Sequence, residues 1–178
     1  MSVTNSGTYL ATSSEKGTLI RIWSTQDGKL LQEVRRGTDK AEIYSIVFDK
    51  INKWIAVSSD KHTIHLFAVD LKRDGIPLKD ENEDDQAPPE GAGGNKEEHK
   101  NKSRFGILGK LLPGSSYINS EWSYAKFAIQ DSKSVCAFSD DSKSLIVVSY
   151  DGNYYEVDIQ KGDCKEKRKE SLLAIEDK

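Results

Sequence analysis

One stretch of the chain occurs twice. Tyr9-Leu10-Ala11-Thr12-Ser13-Ser14-Glu15-Lys16-Gly17-Thr18-Leu19-Ile20-Arg21-Ile22-Trp23 aligns with Trp54-Ile55-Ala56-Val57-Ser58-Ser59-Asp60-Lys61-His62-Thr63-Ile64-His65-Leu66-Phe67 at an offset of 45 residues. Each copy reads as a short apolar strand, a Ser-Ser-acid-Lys turn and a second alternating strand. A weaker third copy runs from Leu145 to Val157, and Asp60 to Asp151 spans 91 residues. A fixed period in this range marks a repeat architecture, in which each unit buries its apolar face only against its neighbours.

The doubled second interval has a visible source. Residues 71–120 form an insertion in the second unit. Residues 72–104 carry Asp80-Glu81-Asn82-Glu83-Asp84-Asp85 and Pro88-Pro89-Glu90-Gly91-Ala92-Gly93-Gly94. That composition cannot bury enough apolar surface to offset ordering entropy, and it predicts disorder. Residues 105–113 differ: Phe105, Leu108 and Leu112 recur at i, i+3 and i+7 around Lys110, and Pro113 ends the run. This reads as a short amphipathic segment. Gly106 and Gly109 each lower its helix propensity by about 1 kcal/mol.

Around the insertion the pattern predicts strands near 8–14, 19–25 and 29–36. It continues with 43–48, 54–59, 63–69 and 122–129, then 134–139, 144–150, 153–159 and 163–169. Asp27-Gly28 is a hairpin turn. The tail from Lys165 to Lys178 is charged, and its composition predicts weak helicity. Four short antiparallel strands every 40–45 residues are the signature of a propeller blade. The expected fold is therefore all-β, a WD-type β-propeller. Residues 1–37 form a partial blade, 38–130 an interrupted blade, 131–170 the last blade and 171–178 a charged tail. Propellers have about 4–8 blades, so three blades predict the C-terminal part of a longer propeller.

Composition narrows the function. The chain has 26 basic and 29 acidic residues and a net charge of -3, which argues against a general nucleic-acid binder. Two cysteines, Cys136 and Cys164, make neither a disulfide framework nor a zinc site, and predict a reducing, cytoplasmic compartment. Neither a signal-peptide core nor an 18-residue apolar run is present. No Ser/His/Asp or Cys/His arrangement, Gly-rich phosphate loop or metal-ligand spacing suggests an enzyme, and no cofactor or metal is expected.

The first unit ends in Val34-Arg35-Arg36-Gly37, after the apolar run Leu30-Leu31-Gln32-Glu33. Successive strand residues point to opposite faces, so Arg35 and Arg36 serve different neighbourhoods. Guanidinium is a permanently charged fork suited to phosphate oxygens, and Gly37 allows a sharp exit from the strand. Two adjacent anion sites follow, one for each arginine; the alternative is an exposed basic pair at a strand end.

Leu10 to Ile22, Val34-Arg35-Arg36-Gly37, Ala56 to Phe67 and Ser120-Glu121-Trp122-Ser123-Tyr124-Ala125-Lys126-Phe127, in this order, resemble the PROPPINs. These are seven-bladed phosphoinositide-binding propellers of autophagy. Their hallmark is Phe/Leu-Arg-Arg-Gly, and Val34 departs from it while keeping an apolar anchor. The resemblance implies two headgroup sites on adjacent blades for phosphatidylinositol 3-phosphate and phosphatidylinositol 3,5-bisphosphate. It groups Arg35 with Ser13, Ser14 and Thr18, and Arg36 with Ser59, Lys61, Thr63 and His65. The family's first site also draws on a histidine from a preceding region, so the first site is expected to be incomplete in this chain.

The residues alone leave open whether 105–112 fold back onto the propeller side; the resemblance implies instead that the inserted loop touches the membrane through Phe105, Ile107, Leu108, Lys110, Leu111 and Leu112. Burial at the interface, at roughly 1.5–3 kcal/mol per apolar side chain, would give weak anchoring. The implied protein is a membrane effector that supports autophagosome formation, peripheral on autophagic, endosomal or vacuolar/lysosomal membranes. Its autophagy protein partners are expected on other blades. The competing reading is a generic WD-repeat scaffold that binds acidic peptides.

Overall fold

The computed structural model describes residues 1–73, 76–77, 121–130 and 133–174. All belong to one unit, Met1–Pro77 with Glu121–Lys178. The remainder of the insertion, with its expected disorder and its amphipathic segment, lies outside the described residues.

Two kinds of tight turn recur. In the first, the N–H groups of Thr4, Asp49 and Ser139 donate to the carbonyls of Tyr9, Trp54 and Ser144 at 3.0, 3.0 and 2.9 Å. The fourth residue of each turn, Gly7, Asn52 or Ser142, has a positive φ of 74°, 57° or 56°. In the second, Gly17 and Gly152 donate to the carbonyls of Ser14 and Ser149 at 2.8 and 3.1 Å. Their φ values are 66° and 75°, and His62 takes the same place in the middle copy with φ 54°. His62 therefore sits in a turn, just before the strand that begins at Thr63. The motif serines close these turns. Ser14 Oγ accepts from the N–H groups of Thr18 and Leu19 at 3.2 and 3.1 Å, and Ser149 Oγ accepts from that of Asn153 at 3.1 Å. A short polar side chain bonded to nearby backbone is ordinary turn chemistry.

The turns join consecutive strands within each of three sheets. The first holds β1 (Ser2–Val3), β2 (Tyr9–Ser13), β3 (Leu19–Ser24) and β4 (Leu30–Arg35). The second holds β5 (Ile43–Phe48), β6 (Trp54–Ser59), β7 (Thr63–Ala68) and, after a small hairpin of β8 (Lys72–Arg73) and β9 (Ile76–Pro77), β11 (Ala125–Ala128). The third holds β12 (Ser134–Phe138), β13 (Ser144–Ser149), β14 (Asn153–Asp158) and β16 (Lys165–Ser171). Each of these groups is an antiparallel four-strand meander, the blade unit of a β-propeller.

Three details depart from the sequence pattern. The segment expected as one strand over 122–129 is split: β10 (Glu121–Trp122) leaves the second sheet and pairs in parallel with β4 of the first. Likewise β15 (Gly162–Asp163) pairs in parallel with β11, one blade back from its own. The strand expected near 163–169 runs over Lys165–Ser171, paired with β14, and displaces the weak helicity expected of the tail from Lys165, where only Leu172–Ala174 form a 3-10 turn. An open ladder on β14 outweighs the weak helix propensity of a Lys/Glu run. The repeat offset also slips. Ala11 faces Ile22 while Ala56 faces Leu66, so the second turn is one residue shorter and an offset of 45 becomes 44 in β7.

Strand alternation assigns each side chain to one of two interfaces. Ala11, Ile20, Ile22 and Val34 of the first blade pack with Ile46, Phe48, Ile55, Val57 and Phe67 of the second. The opposite face of the second blade, with Ala56, Ile64, Leu66, Ala125 and Phe127, packs on Leu145, Val147, Tyr155 and Val157 of the third. Hydrogen bonds cross the same seams. Ser58 Oγ donates to the carbonyl of Ser134 at 2.6 Å. Gln32 Nε2 donates to the carbonyl of Ala68 at 3.1 Å, and its Oε1 accepts from the N–H of Asp70 at 3.0 Å.

Gly17 links turn chemistry to blade spacing. A Cβ there would lie 2.0 Å from the carbonyl oxygen of Ala41, whereas one on Gly28 (φ 68°) would meet nothing within 4 Å. Gly28→Ala therefore loses only the left-handed backbone preference, about 1–2 kcal/mol. Gly17→Ala adds a backbone clash and loses at least twice as much. Urea denaturation of the two variants compares them directly; equal losses would contradict the close approach.

Candidate functional site on the blade rim

β4 carries both arginines to the rim. Val34 is fully buried between the first two blades, which anchors the strand end. Arg35 is 1% exposed, opposite Leu19 on one side and Trp122 of β10 on the other. Alternation turns it to the face away from Val34. Arg36 follows the strand, 5% exposed. Its backbone N–H donates to the carbonyl of Thr18 at 2.9 Å, its Nε to that of Gly17 at 2.8 Å and its Nη2 to that of Asp39 at 2.5 Å. Burial lowers the Arg36 pKa, and the nearby carboxylates of Asp60 and Asp39 oppose that shift. Asp60 belongs to the second blade, so the guanidinium sits at the seam between the two. Beside it, Glu15, Lys16, Thr38, Asp39 and Lys40 line an open depression of about 520 Å³.

The residues expected with Arg36 come from the second blade. Ser59 and His65 are 1% and 5% exposed. They share the face of Val57, which turns toward the first blade. Ser59 Oγ accepts from the N–H of Lys61 at 3.4 Å, Thr63 Oγ1 donates to the Lys61 carbonyl at 3.2 Å, and Lys61 Nζ lies 3.6 Å from Asp60. The His65 ring stacks near Phe67, with centroids 6.1 Å apart. Its Nδ1 is buried and makes no hydrogen bond among the described residues. Burial, helped by the charges of Arg36 and Lys126, lowers the His65 pKa to about 4. The sequence pattern passed over Lys126. It lies on β11 directly opposite His65, and a fourth strand arriving after a long insertion gives no local hint of its partner.

The residues expected with Arg35 are less tightly grouped. Ser14 and Thr18 lie in the turn before Leu19, the cross-strand partner of Arg35. Ser13 shares the face of Ala11, which packs on the second blade, so alternation carries it to the Arg36 side. Phe105, Ile107, Leu108, Lys110, Leu111 and Leu112 lie outside the described residues. Among the described residues no group of three His, Cys, Asp or Glu side chains is placed to hold a metal ion, and no helix is long and apolar enough to cross a membrane.

His65 makes the stability of the chain pH-dependent. Its folded pKa of about 4 lies below the unfolded value of about 6.5. The unfolded state then binds more protons between these limits, and stability present above pH 6.5 is lost as pH falls toward 4. The expected loss is on the order of 2–3 kcal/mol over the whole window. His65→Gln flattens the part between pH 6.5 and 5, above the usual carboxylate range. Urea midpoints measured across that range check this; an unchanged slope in the variant would contradict it.

Comparison with known proteins bears on the whole arrangement. A family model described as PROPPIN matches residues 1–82. The chain is 39% identical to SVP1-like protein 2 of Candida glabrata over 134 residues, 74% of this chain and 29% of that protein. It is 34% identical to Autophagy-related protein 18e of Arabidopsis thaliana over 154 residues, 86% of this chain and 35% of that protein. Among solved structures, Kluyveromyces lactis Hsv2 with its complete loop 6CD superposes with a TM-score of 0.65 at 21% identity, covering 96% of this chain and 47% of that one. A complex of KlAtg21 with the coiled coil of AgAtg16 gives a TM-score of 0.61 at 22% identity, covering 96% and 40%. The chain thus spans less than half the length of these relatives, and its three sheets are part of a β-propeller. The Arg-Arg-Gly motif at a blade rim, the model match over residues 1–82 and these relatives together support a PROPPIN family member.

Proposed function

We propose that this chain carries the phosphoinositide-reading rim of an autophagy-related membrane effector, and that it binds lipid headgroups without catalysing a reaction. The observation that carries this reading is the seating of Arg36 at the seam of two blades. There the buried His65 and Ser59 stand behind it, and Lys61 and Lys126 beside it. A phosphate group there would meet fixed positive charge in a partly desolvated setting, where charge-assisted hydrogen bonds are strongest. His65, neutral when no anion is present, would gain a proton more readily once a phosphate offsets Arg36 and Lys126. The lipids are phosphatidylinositol 3-phosphate and phosphatidylinositol 3,5-bisphosphate. Arg36, Ser59, Lys61, Thr63 and His65 serve one headgroup, and Arg35 with Ser14 and Thr18 serves the other.

The inserted loop supplies the second foothold, through Phe105, Ile107, Leu108, Lys110, Leu111 and Leu112. Two weak headgroup contacts and one apolar contact gain residence time by acting on the same membrane. The protein is peripheral on autophagic, endosomal or vacuolar/lysosomal membranes, supports autophagosome formation and recruits autophagy proteins. The solved complex of KlAtg21 with an AgAtg16 coiled coil supports protein partners of this kind.

Flotation tests the reading. Liposomes with phosphatidylinositol 3-phosphate should carry the chain upward, while liposomes matched in charge with phosphatidylserine should not. Arg35→Thr/Arg36→Thr should reduce the floated fraction at least tenfold. Equal flotation with both lipids, or indifference to the arginines, would favour a scaffold for acidic peptides.

A further inference from the structure

His65 is a titratable ring buried at the seam between the first two blades. On β7 it lies between Thr63 and Phe67, and it stacks against the Phe67 ring. On β6 its direct partner is Val57, with Ser59 two residues along on the same face. On β11 its direct partner is Lys126, and Asp163 of β15 stands beside that lysine. From the first blade comes Arg36. Arg36 and Lys126 both oppose a positive charge on the ring. The nearby carboxylates lie beyond these cations: Asp60 and Asp39 act on Arg36, Asp60 also holds Lys61 at 3.6 Å, and Asp163 neighbours Lys126.

The ring also has an unfilled bonding position. Its Nδ1 is buried and makes no hydrogen bond among the described residues. A buried polar atom without a partner is costly and calls for a group that completes it. The two neighbouring cations select that group, since they repel a cation and attract an anion. An anion seated against Arg36 and Lys126 reverses the field at the ring. The imidazolium then becomes the favoured form, and both ring nitrogens become donors to the anion's oxygens. We propose that the site beside Arg36 takes a phosphate monoester together with a proton from solvent, which His65 holds while the phosphate is seated. This rests on the headgroup site proposed above, and it adds that headgroup affinity rises as pH falls.

The direction follows from linkage. Without an anion the ring takes its proton only at about pH 4. A phosphate in contact raises that midpoint by about two pH units, as an opposite charge at close range does. Between the two midpoints the complex holds a proton that the free chain lacks, so binding strengthens as pH falls. Above the higher midpoint both states are neutral at the ring and the dependence vanishes. With midpoints of about 4 and about 6, affinity gains about tenfold between pH 7 and pH 5. The phosphate itself takes a proton near about pH 6, which works the other way. The ratio of the chain's affinity to that of His65→Gln cancels this and isolates the ring.

The test uses the 178-residue chain with inositol 1,3-bisphosphate as the probe. Imidazole carbon shifts of His65, assigned by their loss in His65→Gln, are followed from pH 7.5 to pH 5 with and without the probe. The amide spectrum reports at each pH that the chain is folded. Without the probe the ring should stay mostly neutral throughout; with it, the ring should be half protonated near about pH 6. The affinity ratio of the chain to His65→Gln should rise about tenfold from pH 7 to pH 5. Inorganic phosphate shares the acceptor oxygens but not the inositol ring, and should need roughly tenfold more for the same His65 response. Binding that depends on Arg36 but leaves the His65 midpoint and the ratio unmoved would overturn the proton linkage and leave the headgroup site standing. Absence of binding, or binding indifferent to Arg36→Thr, would overturn both. Equal potency of inorganic phosphate would make the free ion the ligand and overturn the headgroup as its source.

Discussion

The second blade has no free face, and the rest of the structure depends on that. One side of its sheet, with Ile55, Val57 and Phe67, is buried against the first blade. The other, with Ala56, Ile64 and Leu66, is buried against the third. Because a strand sends alternate side chains to opposite faces, every buried residue of β6 and β7, Ile55–Ser59 and Ile64–Phe67, is committed to one seam or the other. A shift of one residue would exchange the two seams completely. The repeated turns hold the register against such a shift, through Ser14 and Ser149 and through the positive φ of Gly17, His62 and Gly152.

The same commitment builds the rim. Val34 goes into the seam with the second blade, so Arg35 must leave on the far face. Arg36 follows the strand and returns to the seam. There its guanidinium is held by the carbonyls of Gly17 and Asp39, and it acts on a histidine of the neighbouring blade. Two adjacent arginines thereby enter separate electrostatic settings without any special loop. The cost falls on His65, a titratable ring buried beside two positive charges. Its neutral form is the form the apolar seam prefers.

Much of this was legible in the sequence, and the failures have identifiable causes. The Ser-Ser-acid-Lys turn and its spacing marked the blades, since turn chemistry is local. The alternation of Leu30 to Arg35 marked the opposite fates of the arginines, since strand periodicity is local too. The parallel additions Glu121–Trp122 and Gly162–Asp163 left no signal: two residues carry no periodicity, and their partners lie one blade away. The last strand was placed near 163–169, but the same Lys/Glu run also read as a weakly helical tail, because no apolar alternation marks a strand that is exposed on every residue. Ser13 was grouped with Arg35 by position, whereas its strand turns it toward the second blade with Ala11. Lys126 entered the site only through its long-range pairing with His65.

The central claim is that Arg36, and not Arg35, completes the anion site between the first two blades. The most direct measurement is an amide and imidazole shift titration of the chain with inositol 1,3-bisphosphate, a soluble headgroup that needs no membrane. Single replacements Arg35→Thr and Arg36→Thr are compared. The account predicts shifts at Ser59, Lys61, His65 and Lys126 that survive Arg35→Thr and disappear with Arg36→Thr. Shifts that disappear with Arg35→Thr instead, or that survive both replacements, would contradict it.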